Sequence, residues 1–137
     1  MLKKIIISLI PVIAIAATPS YALDDPNKCP SVESMRSISF NHVEKEDENS
    51  QWLVSTETAY KYDTNVDWHV VTYADAKDEA EALQKANSLL NLVQFVDGPA
   101  PFGRAWLCMY QNEDDMVMAI SGMDDSKLMK KLMYKKR

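Results

Sequence analysis

Trp52-Leu53-Val54-Ser55-Thr56-Glu57-Thr58-Ala59-Tyr60-Lys61-Tyr62 reads as a β-strand, the clearest in the chain. Trp52, Val54, Thr56, Thr58, Tyr60 and Tyr62 alternate with Leu53, Ser55, Glu57, Ala59 and Lys61. Such aromatic and β-branched content suits a pleated, half-buried surface. Strands also lie on either side of it. Before it, Ser37 to Lys45 carries a period of two, with Ile38, Phe40 and His42 on one side, and Glu46-Asp47-Glu48-Asn49-Ser50 makes a polar turn. After it, Asp63-Thr64-Asn65-Val66-Asp67 turns the chain into a third strand from Trp68 to Tyr73.

Helices flank this group. Cys29-Pro30-Ser31 opens a short one over about 30–37, because proline in a first turn loses no intrahelical hydrogen bond. Asp75 can cap a long helix from Ala76, with Asp78 and Glu79 favouring the positive end of the dipole. Ala82, Ala86, Leu89, Val93 and Val96, beside Leu83 and Leu90, form its apolar stripe, and Asp97-Gly98-Pro99 stops it. Pro99, Pro101 and Gly103 then make a stiff connector. Arg104–Gln111 and Met116–Gly122 form a hairpin across Asn112-Glu113-Asp114-Asp115, and no internal repeat is visible. The order α-β-β-β-α-β-β predicts a two-layer α+β domain. Its sheet is mostly antiparallel with about five strands, one long helix packs on it, and a short helix precedes it.

The ends of the chain have their own character. Lys3 and Lys4 precede an apolar run from Ile5 to Ala17, followed by Ser20-Tyr21-Ala22. This is the order of a secretory signal peptide, 1–22, cleaved near Ala22. As a helix the run covers only about 20 Å, short of the roughly 30 Å of a bilayer core. The expected product is a single domain, 23–126, with a basic amphipathic tail, 127–137, secreted or periplasmic in a Gram-negative bacterium. Cleavage leaves 13 cations against 20 anions, a net charge of −7, which argues against nucleic acid as a partner. Six of those cations, Lys127, Lys130, Lys131, Lys135, Lys136 and Arg137, close the chain. With Leu128, Met129, Leu132 and Met133 between them, they suit an anionic membrane surface or an acidic partner, or serve only as a solubilising appendage. The last strand ends near Gly122, so this tail is expected to contribute little to stability.

Two cysteines, Cys29 and Cys108, are expected to form a disulfide outside the cytoplasm. Metal ligation and thiol reactivity are the alternatives, without a CxxC spacing or a neighbouring histidine to support them. Chemistry-bearing residues are scarce. His42 and His69 are the only histidines, and no nucleophile elbow, HExxH or catalytic-cysteine setting accompanies them, so no enzyme is expected. As strand residues they suit a structural role or, functionally, axial ligation of haem iron, as does Tyr73. Without CxxCH, haem cannot be attached covalently. Consecutive strands would place His42 and His69 roughly 9.5 Å apart, too far to clamp one iron from opposite faces. Asp63-Thr64-Asn65-Val66-Asp67 imitates a calcium loop but has Trp68 where glycine is needed and Ala74 where glutamate is needed. Met116 and Met118 share one strand face and read as core.

The export signal, Cys29-Pro30-Ser31-Val32, the Trp-rich strands and Trp106-Leu107-Cys108 together resemble the small secreted hemin-binding-like proteins of the Legionella type. The resemblance implies export and a role in haem acquisition or host interaction, with hemin, a host protein or an anionic surface as partner. It assigns no ligand residues. His42, His69 and Tyr73 are candidates on side-chain chemistry alone.

Overall fold

The computed structural model describes residues 25–46 and 50–122. The expected signal peptide and basic tail lie outside these residues. Elements run in the order α1 (Val32–Arg36), β1 (His42–Lys45), β2 (Gln51–Ser55), β3 (His69–Asp75), α2 (Glu79–Leu90), β4 (Gln94–Phe102), β5 (Ala105–Asn112) and β6 (Asp115–Ser121). The strands form one antiparallel sheet in the order β1-β2-β3-β6-β5-β4. The chain therefore writes one topological unit twice, a helix followed by a three-strand meander. The two third strands meet at the centre, His69 opposite Ile120 and Thr72 opposite Val117. No sequence repeat announces this, because packing asks only for the right periodicity in each half.

The α+β class is as expected, but the sheet has six strands rather than about five, and the helix is shorter. Asp78, not Asp75, is the N-cap of α2, its carboxylate accepting from the Glu81 amide at 2.8 Å. At the other end, Arg36 of α1 donates to the carbonyls of Leu90 (2.9 Å) and Asn91 (3.0 Å), occupying groups that a longer helix would use. The chain then turns into β4 instead of continuing to Val96. Pro99 and Pro101 are compatible with a strand because β4 is an edge and need not donate outward. Asp97-Gly98-Pro99 is a register shift within that strand, not a helix stop. The Trp52–Tyr62 alternation also covers less ladder than it promised. β2 ends at Ser55, the Glu57 amide turns aside to the Asn41 side chain (2.7 Å), and pairing resumes only at the isolated bridge between Tyr60 and Trp68.

Both helices pack on one face of the sheet. Trp52, Val54, Trp68, Val70, Cys108, Tyr110 and Val117 meet Met35 of α1 and Ala82, Ala86, Leu89 and Leu90 of α2. Each fully buried large side chain contributes roughly 1.5–3 kcal/mol relative to exposure. The polar atoms carried into this layer are largely bonded. Trp52 Nε1 donates to the Ala76 carbonyl at 2.9 Å, Trp68 Nε1 to Thr64 Oγ1 at 2.8 Å, and the Tyr110 hydroxyl to the Pro30 carbonyl. Tyr62 is the exception: its buried hydroxyl has no hydrogen-bond partner among the described residues. Burial, reinforced by the charge of Tyr60, pushes its pKa up to about 12. The Cys29–Cys108 disulfide joins the segment before α1 to the centre of β5.

Strand alternation assigns the second face as well. Leu53, Val71, Tyr73, Leu107, Met109, Met116, Met118 and Ile120 point away from the helices. Val71 and Ile120 are nevertheless fully buried, and Met118 is 1 % exposed.

Candidate functional site

His42, His69 and Tyr73 all belong to the second face. His42 lies opposite Ser55, which lies opposite Val71, and His69 and Tyr73 flank Val71 at two residues either way. Any two of them are therefore separated by roughly 12–14 Å of backbone, given strand spacing and rise. The strand order makes the two histidines next-but-one neighbours, as the sequence implies, and both point off the same side. They cannot grip one iron from opposite sides within a protomer. His42 is half-exposed on the edge strand, 3.9 Å from Glu44 Oε2. His69 is half-buried, the hydroxyl oxygen of Tyr73 is fully buried, and both residues are engaged by partners.

The calcium-like turn is a clamp. Asp63 accepts from the Ser31 amide and the Ser34 hydroxyl, each at 2.9 Å, and Lys28 Nζ lies 3.3 Å from its other oxygen. Asn65 accepts from the Asn27 amide at 2.7 Å and donates to the Asp25 carbonyl. The turn thus uses its side chains on the N-terminal segment. Among the described residues no group of three or more His, Cys, Asp or Glu is placed to hold a metal. Partial desolvation by itself would raise the Asp63 pKa, but hydrogen bonds from Ser31, Ser34 and Lys28 outweigh it and hold the carboxyl well below the usual range. A depressed folded-state pKa contributes stability above the unfolded value of about 4, and that contribution fades as pH falls further. Asp63→Asn is expected to lower the melting temperature at pH 7 by a few degrees and to converge with the parent near pH 2. Equal losses at both pH values would show that the charge is not what matters.

A groove that no sequence motif marked opens where the sheet forks. The β3–β6 ladder stops at Thr72 and Val117, whereas β3 continues to Asp75 alongside β2, and β6 begins two residues earlier alongside β5. Thr72 Oγ1 donates to the Met116 carbonyl at 2.6 Å in the crotch of the fork. The strands part around a groove of about 800 Å³, closed on its third side by α2. Ala74, Ala86, Leu89, Leu92 and Met116 give it an apolar lining, to which Tyr73 also belongs. Among the described lining residues, Asp75, Glu81, Asp114 and Asp115 supply four carboxylates and Lys85 one ammonium, which donates to the Asp75 carbonyl at 2.7 Å and lies 3.6 Å from Glu81; Lys77 Nζ also lies 3.9 Å from Glu81. Of the three sequence candidates only Tyr73 lines it. In sequence Asp75 reads as a helix cap and Asp114 and Asp115 as part of a polar turn, and nothing marks Glu81, because a fork depends on where ladders stop.

The Cys29–Cys108 disulfide fits an extracellular or periplasmic protein. No described helix is long and apolar enough to cross a membrane. Compared with known protein families, curated proteins and solved structures, the chain finds no match.

Proposed function

We propose that the chain is an exported, non-enzymatic binding protein that takes a cationic, amphipathic segment of a partner protein in the fork groove. The composition of the groove carries this reading: its volume lies within the range typical of ligand sites, and its lining combines apolar side chains with four carboxylates. An apolar side chain would be desolvated on Leu89 and Met116 while flanking Lys or Arg residues meet Asp75, Asp114 and Asp115. Titration of the mature protein with a synthetic Lys/Leu amphipathic peptide tests it. Binding should weaken as salt rises. Asp114→Asn/Asp115→Asn should weaken it by about five- to tenfold, since exposed pairs contribute roughly 0.2–1 kcal/mol each. Unchanged affinity in that variant would overturn the reading.

Haem is the second reading, favoured by one observation: Tyr73, a possible iron ligand, lines the same groove. Against it, the haem propionates would meet four carboxylates and one ammonium. Hemin binding through this site requires a saturable Soret shift that Tyr73→Phe removes. Retention of the shift in Tyr73→Phe and its loss in His69→Ala would move the ligand to the half-buried histidine, which should matter more than exposed His42. A spectrum identical to that of free hemin would eliminate haem.

A further inference from the structure

Among the described residues, the exposed large apolar side chains lie on one stretch of chain. Leu92 is 57 % exposed, Phe95 50 %, Val96 53 % and Phe102 37 %. Leu92 lines the groove, and the other three belong to β4, the last strand of the sheet. Single exposed apolar residues need no explanation, but a cluster along one edge marks an interaction surface. By contrast β1, at the opposite edge, carries His42, Glu44 and Lys45 around one valine, the polar kind of edge that discourages association.

Backbone, charge and symmetry together define what fits against β4. Pro99 and Pro101 cannot donate, and register shifts interrupt the strand between Phe95 and Asp97 and between Asp97 and Ala100. A continuous ladder with another strand is therefore disfavoured, and contact must come from side chains. The described residues carry 15 carboxylates against seven cations, so two copies of the chain repel over most of their surfaces. From Leu92 to Arg104 the charges are Asp97 and Arg104, which cancel. The stretch is also complementary to itself. In an antiparallel pair centred on Gly98, Phe95 of one copy stands opposite Pro101 of the other, and Phe102 opposite Gln94. Each match stays on one face of the sheet. Phe95 and Pro101 are in register with Tyr110 and Trp106 of the helix-bearing layer, and Phe102 and Gln94 with Ala105 and Gln111 on the other side.

We propose that β4 is the contact between two copies of this chain, packed antiparallel about a two-fold axis near Gly98. A two-fold contact uses the same patch on both copies, so it closes after one pairing and cannot grow into a fibre. The exposed parts of Phe95, Val96 and Phe102 amount to roughly 300 Å² per copy, taking a fully exposed aromatic side chain as about 200 Å². With Gln94, Ala100 and Pro101, also exposed, two copies bury about 900–1,200 Å², the small end for protein complexes. That area suits a weak, reversible dimer with a dissociation constant on the order of 10–100 μM. Phe95 is placed for it in advance, its ring held edge-on against Tyr110 at 5.8 Å. The inference does not rest on what the groove binds.

Sedimentation equilibrium of the oxidised mature chain from about 1 to about 500 μM provides the test, with circular dichroism to show that each variant is folded. The average mass should rise from monomer toward dimer and stop there. Val96→Asp and Phe102→Asp, at two exposed positions on either side of the axis, should each weaken dimerisation by at least about tenfold. Glu57→Gln, exposed and on the β1 side of the sheet, should change it by less than about twofold. A monomer throughout the range would overturn the proposal. So would assembly beyond a dimer, or a dimer of unchanged affinity in folded Val96→Asp, which would place the contact elsewhere.

Discussion

Replacing both Cys29 and Cys108 with serine is expected to lower the stability of the folded chain by about 4.5 kcal/mol, the chain-entropy value for the 79-residue separation. Small domains commonly have only 5–15 kcal/mol in total, so the double variant should be close to unfolding at 37 °C. The bridge also holds Pro30, whose carbonyl receives the buried Tyr110 hydroxyl. Its loss therefore exposes a second interaction to fraying. Urea denaturation of parent and variant measures the effect. A midpoint unchanged by the double substitution would show that the N-terminal segment is held without the bridge.

Gly98→Ala should be nearly as damaging for a different reason. A Cβ at this position would sit 2.6 Å from the Leu107 carbonyl oxygen, 2.9 Å from Cys108 Cα and 2.9 Å from Cys29 Sγ. Two of those atoms are backbone of the adjoining strand and cannot rotate away. The φ of +123° adds strain that no L side chain relieves. Overpacking and backbone strain each cost about 1–3 kcal/mol, giving a loss of about 2–6 kcal/mol. Gly103→Ala is the control, because nothing lies within 4 Å of its added methyl although φ is also positive, +61°. It should lose only about 1–2 kcal/mol, the cost of a left-handed alanine without a clash. Equal melting temperatures for the two variants would contradict the steric account.

The elements that were legible in the sequence were those whose partners are near in the chain. The hairpin around Asn112–Asp115 lies where its polar turn placed it, and the β3 strand and the disulfide follow from local pattern and cysteine count. The errors arose where a remote residue decided the outcome. Arg36 terminates α2 from another helix, and only the position of β4 at an edge makes Pro99 and Pro101 acceptable in a strand. The candidate site was less legible still. His42, His69 and Tyr73 were singled out by side-chain chemistry, and the structure sets them on one face but more than a ligand's reach apart. The groove depends on a ladder ending at Thr72, and no single-sequence pattern encodes that.

The doubled helix-and-meander topology bears on how the chain reaches its native state. Within each half, strands adjacent in space are adjacent in sequence and can pair early. Only the four-pair ladder of β3 with β6 joins the halves within the sheet, and it pairs residues remote in the chain. Closing that seam is the high-contact-order step and should limit the folding rate. Cys29 lies ahead of the first half and Cys108 within the second, so oxidation ahead of seam closure would tie the halves together. An oxidising environment would then act as an accelerator of assembly, converting the search of one half for the other from a whole-chain excursion into a short-range one.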